Sequence, residues 1–226
     1  MATTSYQTLA QLVTSERLHQ YLAAANGDHQ VATALYDWNV AASGALLEDF
    51  ARLEVVLRNA FDRSLHRLCS QRGWTQPWYL QRHWFPGETN DAIGRARQHV
   101  RNGGRSETHG RVIAALTFGF WRSLCAKRYL TTLWVPALAS SLSGHPERGN
   151  VRTIRAGADQ RMRSLNDLRN RIAHHEPVFG RDLTADREHM RELMSWVSPA
   201  ALAWFDSATR TEAMLDQLPA SVAEPA

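Results

Sequence analysis

Three features of this 226-residue sequence predict an all-α fold. Apolar residues recur at spacings of three or four over most of the chain, as along one buried helix face. No strand-length run alternates apolar with polar side chains. The breaks between periodic stretches carry the Asn, Gly, Pro and Ser residues that start and stop helices.

A first helix is expected from Tyr6 to Ala24, ending near Asn26-Gly27. Asp28 is a suitable N-cap for a second helix through Tyr36 and Val40, because its carboxylate can accept the first free backbone N–H groups. Gly44 is expected to break that helix from a third. From Ala45 to about Cys69 the stripe is clearest, with Leu46, Phe50, Leu53, Leu57, Phe61, Leu65 and Leu68 on one face. Between Arg72 and Gly87 periodicity lapses, and Trp74, Trp78, Tyr79, Trp84 and Phe85 sit among prolines and glycines. That segment reads as an ordered loop or short helix whose aromatics plug the core. Interleaving with Arg72, Arg82 and His83 also suits stacking on bases, a rarer use of buried aromatics.

A short helix is expected from Asp91 to Arg101, then a turn at Asn102-Gly103-Gly104. Glu107 opens a helical stretch through Val112, Ile113, Leu116, Phe120 and Leu124 to Trp134, broken at Pro136. Ser143 to Pro146 is a loop. Asn150 can cap a helix through Ile154, Met162, Leu165, Leu168 and Ile172. Pro177 disfavours helical geometry at Glu176, so this helix stops close to His174-His175. Thr184 is expected to cap the next helix, through Met190, Leu193, Met194 and Trp196. Ser198-Pro199 forms an N-cap and N1 pair for a last helix through Leu202 and Phe205.

Composition narrows the function classes. Hydrophobic residues make up 44% of the chain and charged residues 21%, a globular balance that excludes wholesale disorder. No run approaches the roughly 20 apolar residues of a membrane span, and the N-terminus lacks the basic and apolar regions of a secretory signal. The two cysteines, Cys69 and Cys125, cannot build a disulfide framework or a four-thiolate zinc site. These features predict a soluble cytoplasmic protein with one domain over residues 1–218 and a disordered tail at 219–226. Formal charge is +4, and Lys127 is the only lysine among 26 basic residues. An arginine-rich surface permits nucleic-acid binding without demanding it.

The segment that carries chemistry runs from Leu165 to Phe179. On an ideal helix of about 100° per residue, Leu165, Leu168 and Ile172 share one face. Asn170 and His174, four residues apart, share the opposite side, together with Arg163. Arg169 flanks the apolar stripe, about 140° from His174 on the same projection. If both groups act on one phosphate, the last turn unwinds or the two come from different subunits. RNA cleavage by the substrate's own 2′-hydroxyl needs a base, an acid and positive charge on the phosphorane. Histidine fills the proton-transfer roles near neutrality, and arginine donates hydrogen bonds to phosphate oxygens. No metal or other cofactor is required. Adjacent His174 and His175 project about 100° apart and belong to no HExxH arrangement, so a metal site is not expected. There is no Walker A, Rossmann or nucleophile-elbow sequence either.

Arg169-Asn170-Arg171-Ile172-Ala173-His174 has the RNxxxH form of the R-x4–6-H motif, and LRNRIAHHEPVF resembles the abortive-infection (Abi-like) branch of the HEPN superfamily. Leu47 to Leu65, LEDFARLEVVLRNAFDRSL, resembles that family's early helix with its Glu and Arg-Asn pair. Leu116 to Trp134 resembles its central FGFW segment. The similarity spans about Tyr36 to Phe179.

The resemblance implies an HEPN-like helical bundle with additional peripheral helices, usually dimeric, with motif helices meeting at a composite site. It implies a metal-independent endoribonuclease of phage defence or a toxin–antitoxin system, acting on single-stranded or loop RNA. A protein or RNA partner would neutralise it until infection or stress. Arg169 would then stabilise the scissile phosphate, His174 act as acid or base, and Asn170 orient the histidine or substrate. His175 would be auxiliary, as would Glu54, Arg58 and Asn59 on the earlier helix, where Glu54 and Arg58 also suit a plain i,i+4 surface pair. The rival expectation is a non-catalytic HEPN-fold module that binds RNA or protein without turnover.

Overall fold

The computed structural model describes residues 5–104 and 106–219. Every regular element among them is helical, so the protein is all-α. Contacts group the chain into two compact units. Of the described residues, one unit holds 5–51, 167–188 and 207–219, and the other holds 52–166 and 189–206. All of the expected tail at 219–226 except Pro219 lies outside the described residues.

In the first unit the expected helix over Tyr6–Ala24 is two helices, α1 (Tyr6–Val13) and α2 (Ser15–Ala24). Thr14 separates them, with φ at +75° and its side chain accepting the Arg17 N–H at 3.4 Å. The hydroxyl offers the backbone a local partner that competes with helix continuation. Left-handed Asn26 and Gly27 then end α2. Asp28 caps the next helix, accepting the N–H groups of Gln30 and Val31 at 2.8 and 3.0 Å. That helix, α3 (His29–Gln71), passes through Gly44 without a break.

The tail of this unit is anchored to the first part of α3. Asp49 is wholly buried and accepts the hydroxyls of Thr209 and Thr211 at 2.7 and 2.6 Å. Arg210 pairs with Glu48 at 2.9 Å, and the Trp38 indole donates to the Met214 carbonyl at 2.9 Å. These anchors hold a five-residue helix, Thr211–Leu215, too short for its sequence to show a helical period.

In the second unit the later part of α3 buries Leu53, Leu57, Phe61, Leu65 and Leu68. Two short 3₁₀ turns follow, Trp78–Leu80 and Arg82–Trp84, with Trp78, Tyr79, Trp84 and Phe85 buried. Trp78 packs against Phe85, Phe120 and Trp121 and donates its indole N–H to Asp62 at 2.6 Å. These aromatics plug the core, while Trp74 is half-buried under the Arg72 guanidinium. The helix expected at Asp91–Arg101 is α4 (Glu88–Asn102).

The long helix expected from Glu107 to Trp134 is instead four pieces. They are α5 (His109–Ala115), α6 (Phe118–Ser123), a 3₁₀ turn (Lys127–Tyr129) and a π-helical turn (Leu130–Trp134). Side chains capture the backbone groups a continuous helix would use. Thr117 accepts the Phe120 N–H, the Trp134 indole donates to the Leu124 carbonyl at 2.8 Å, and Arg155 donates to the Cys125 carbonyl.

Asn150 caps α7 (Val151–Ala173) through the Thr153 N–H at 3.2 Å. The next helix, α8 (Leu183–Val197), is capped by Asp182 rather than Thr184, the Asp182 carboxylate accepting the Ala185 N–H at 2.8 Å. Ser198 caps α9 (Pro199–Ala208) through the Ala201 N–H at 3.1 Å. The loop at Gly144 lies so close to α8 that a Cβ there would fall 2.3 Å from the Ser195 carbonyl oxygen.

Since α3 is continuous at Gly44, a methyl group there would find only Arg210 Nη2, at an ordinary 3.8 Å. Gly44→Ala should therefore raise stability by about 0.5–1 kcal/mol, the helix-propensity difference, in urea denaturation. A loss of stability would place a break at Gly44 after all.

Candidate functional site

The candidate site is the C-terminal end of α7. Leu168 and Ile172 are buried, fixing the rotation of the last turn. Arg169 is then half-buried, while Asn170 and His174 are exposed. The His174 N–H still donates to the Asn170 carbonyl at 3.0 Å, so helical register persists to His174. The last turn does not unwind before His174, and Arg169 and His174 keep the angular separation of a regular helix.

The chain leaves the helix at His175, with φ at +56°. The His175 N–H donates to the Ile172 carbonyl at 3.0 Å and the Glu176 N–H to the Arg171 carbonyl at 2.8 Å. This pair of bonds is a Schellman motif, with histidine where glycine is usual. Instead of the apolar contact that often accompanies the motif, Arg171 and Glu176 approach as an ion pair at 3.7 Å.

Three further contacts hold the turn. Arg17 of α2 donates to the His175 carbonyl, and Arg171 donates to the Pro177 carbonyl at 3.0 Å. Asn39 of α3, 4% exposed, accepts the Val178 N–H at 2.7 Å. The carbonyls of Arg171, Ile172, His175 and Pro177 and the amides of His175, Glu176 and Val178 are thus paired, and Pro177 has no N–H to satisfy. The side chains of Arg169, Asn170 and His174, by contrast, make no hydrogen bond or ion pair with any described residue. A guanidinium, an amide and an imidazole therefore stand available on a fixed end of backbone.

Four other residues singled out in the sequence belong to the second unit. Arg163 pairs with Asp159 at 3.0 Å. Glu54 and Arg58 are half-buried and Asn59 is exposed. The Arg58 Nε is buried with no hydrogen-bond partner among the described residues. Among the described residues no three His, Cys, Asp or Glu side chains gather to hold a metal ion, His174, His175 and Glu176 included. Among them, too, no helix is long and apolar enough to cross a membrane.

A cleft of about 480 Å³ opens in the first unit, lined by Val13 of α1 and by residues of α2, the first part of α3, the end of α7 and the turn after it. On α3 its lining includes Tyr36, Asn39, Ser43, Gly44 and Leu47, a stripe at three- and four-residue spacing. Sequence reading missed this stripe because tyrosine, amide, hydroxyl and glycine do not stand out as either an apolar or a charged face. Its helical spacing was the available signal. Compared with protein families, curated proteins and solved structures, the chain matches none.

The left-handed His175 yields a stability prediction. A side chain costs roughly 1–2 kcal/mol in that conformation, and glycine avoids the cost. His175→Gly should stabilise the protein by about 0.5–1 kcal/mol and His175→Val should destabilise it by more than about 1 kcal/mol in chemical denaturation. Equal stability of the two variants would contradict the Schellman geometry.

Proposed function

We propose that this chain is a metal-independent endoribonuclease that cleaves single-stranded or loop RNA, working as a homodimer of HEPN type. The observation that carries the reading is the availability of Arg169, Asn170 and His174 on a helix end whose backbone is otherwise held. A buried ion pair or a cap would have given these groups internal partners. Without such partners they are suited to a ligand, and their types match the needs of phosphodiester cleavage.

In the proposed reaction a base removes the proton of the substrate 2′-hydroxyl, whose oxygen then attacks the adjacent phosphorus. The 5′-oxygen leaves with a proton from an acid, giving a 2′,3′-cyclic phosphate and a 5′-hydroxyl. Arg169 donates to the non-bridging oxygens as negative charge builds on them. His174 performs one proton transfer and Asn170 orients it or the substrate, with His175 auxiliary.

The second proton transfer falls to the same end of α7 in another copy. Arg169 and His174 diverge on one regular helix, so a facing copy is the economical way to bring both onto one phosphate. Restraint by a protein or RNA partner, and a place in phage defence or a toxin–antitoxin system, rest on the family resemblance. Glu54, Arg58 and Asn59 enter as auxiliary residues on that same ground.

Purified protein should cut a mixed-sequence RNA in EDTA. Arg169→Ala and His174→Ala should each lower the rate by at least about 100-fold, the scale of a lost acid–base or phosphate-stabilising group. Because neither side chain has an internal partner, helicity should be unchanged and stability should hold within about 0.5 kcal/mol. Cleavage by both variants at the wild-type rate would refute the assignment. RNA retained without turnover by the wild type would favour the binding module.

A further inference from the structure

The cleft beside the end of α7 has polar groups that the protein itself does not satisfy. Tyr21 is 1% exposed and lines the cleft, yet its hydroxyl makes no hydrogen bond with any described residue. Asn39, 4% exposed, gives its Oδ1 to the Val178 N–H, while its Nδ2 donates to no described residue. Ser43 also leaves its hydroxyl without a described partner. Elsewhere on the same helix the hydroxyls of Thr33 and Ser70 bond to carbonyls four residues earlier, at 2.8 and 3.1 Å. Three hydrogen-bonding groups on two helices are therefore left to whatever enters the cleft. None of the three groups is sealed from solvent, so each is open to a ligand that enters the cleft.

The rest of the lining is largely apolar, apart from Arg17 and His175. Tyr36 is half-buried and meets Tyr21 edge-on, ring centres 5.1 Å apart, and Tyr21 packs against Phe179 at 5.2 Å. This packing fixes the Tyr21 ring. Burial pushes its phenol up to about 12, with the nearby Arg17 charge opposing the shift, so the hydroxyl keeps its proton throughout the physiological range. The apolar side chains Val40 and Leu47 complete the wall.

We infer that this cleft takes one unpaired nucleobase of the RNA, stacked on Tyr36 and hydrogen-bonded by the Asn39 amide and the Tyr21 and Ser43 hydroxyls. The inference rests on the ribonuclease reading and gives it a base-selecting subsite, because His175 lines the cleft and directly follows His174. A planar ligand with apolar faces and a polar edge fits both halves of the lining. An apolar segment of a protein partner would leave the phenol and the amide unpaired. Val178 takes one lone pair of the Asn39 oxygen, so the amide chiefly donates, and the two hydroxyls can donate beside it. Such a set matches the two carbonyl oxygens of uracil better than the edge of adenine, whose exocyclic amine is itself a donor.

The test uses the full-length His174→Ala chain, so that RNA stays intact, with end-labelled rU10 and rA10 followed by fluorescence anisotropy. The cleft predicts rU10 binding about tenfold or more tighter than rA10, the scale set by a site built to hydrogen-bond its ligand. Adding Tyr21→Phe and Ser43→Ala should cut that preference below about threefold without lowering the melting temperature, since neither hydroxyl has an internal partner. Equal affinity for the two oligonucleotides, binding of neither, or a preference that survives both substitutions would overturn the proposal. It also falls if the substitutions shift the dimerisation constant and leave base preference intact, which would make the cleft an interface between copies. Cleavage by the wild-type chain is scored separately. His174-dependent cleavage with no base preference would sink the cleft alone, and base preference without cleavage would sink the ribonuclease reading.

Discussion

The constraint on which the rest depends is the left-handed turn at His175. A helix normally ends with several unpaired carbonyls, which compete for any donor nearby. Here the Schellman bonds take the Arg171 and Ile172 carbonyls, Arg17 takes that of His175, and Arg171 takes that of Pro177. Asn39 closes the sequence by accepting the Val178 N–H. With these groups paired, none of them draws on Arg169, Asn170 or His174 for a cap. That histidine occupies a position favouring glycine is a local cost, of the sort that persists where the surroundings over-determine the conformation.

The long helix α3 serves different ends along its length. From Leu53 onward its buried stripe is the aliphatic and aromatic face expected of core, and that part belongs to the second unit. Its earlier part, in the first unit, carries Trp38 and Asp49, which hold the chain around Thr211–Leu215. Asn39 on the same stretch supports the turn after α7 and contributes to the cleft. One residue thus couples the stability of the turn to the chemistry of the neighbouring surface.

Much of the fold was legible because its signals are local. Asp28, Asn150 and Ser198 cap helices by direct side-chain contacts, and the Leu and Phe spacing from Leu46 to Leu68 reflects a single buried face. The errors arose where a side chain acts on a backbone group out of reach of a periodicity argument. Thr14 breaks a helix that has neither glycine nor proline, and Gly44 fails to break one. Trp134 and Arg155 dismantle the apparent helix before Trp134 by taking the carbonyls of Leu124 and Cys125. At the site, Pro177 announced where α7 ends, and helical projection placed Asn170 with His174 away from Leu168 and Ile172. The hold of Arg17 was not legible, since it joins residues 158 positions apart, and a histidine gives no sign of a positive φ.

The central claim is that the end of α7 directs cleavage by the RNA's own 2′-hydroxyl. The most direct measurement replaces that one hydroxyl by hydrogen at a mapped cleavage position and compares the two RNAs with the wild-type chain. The account predicts that the 2′-deoxy position is no longer cut while other positions are cut as before, and that the intact RNA yields 2′,3′-cyclic phosphate and 5′-hydroxyl ends. Continued cutting at the 2′-deoxy position would contradict it.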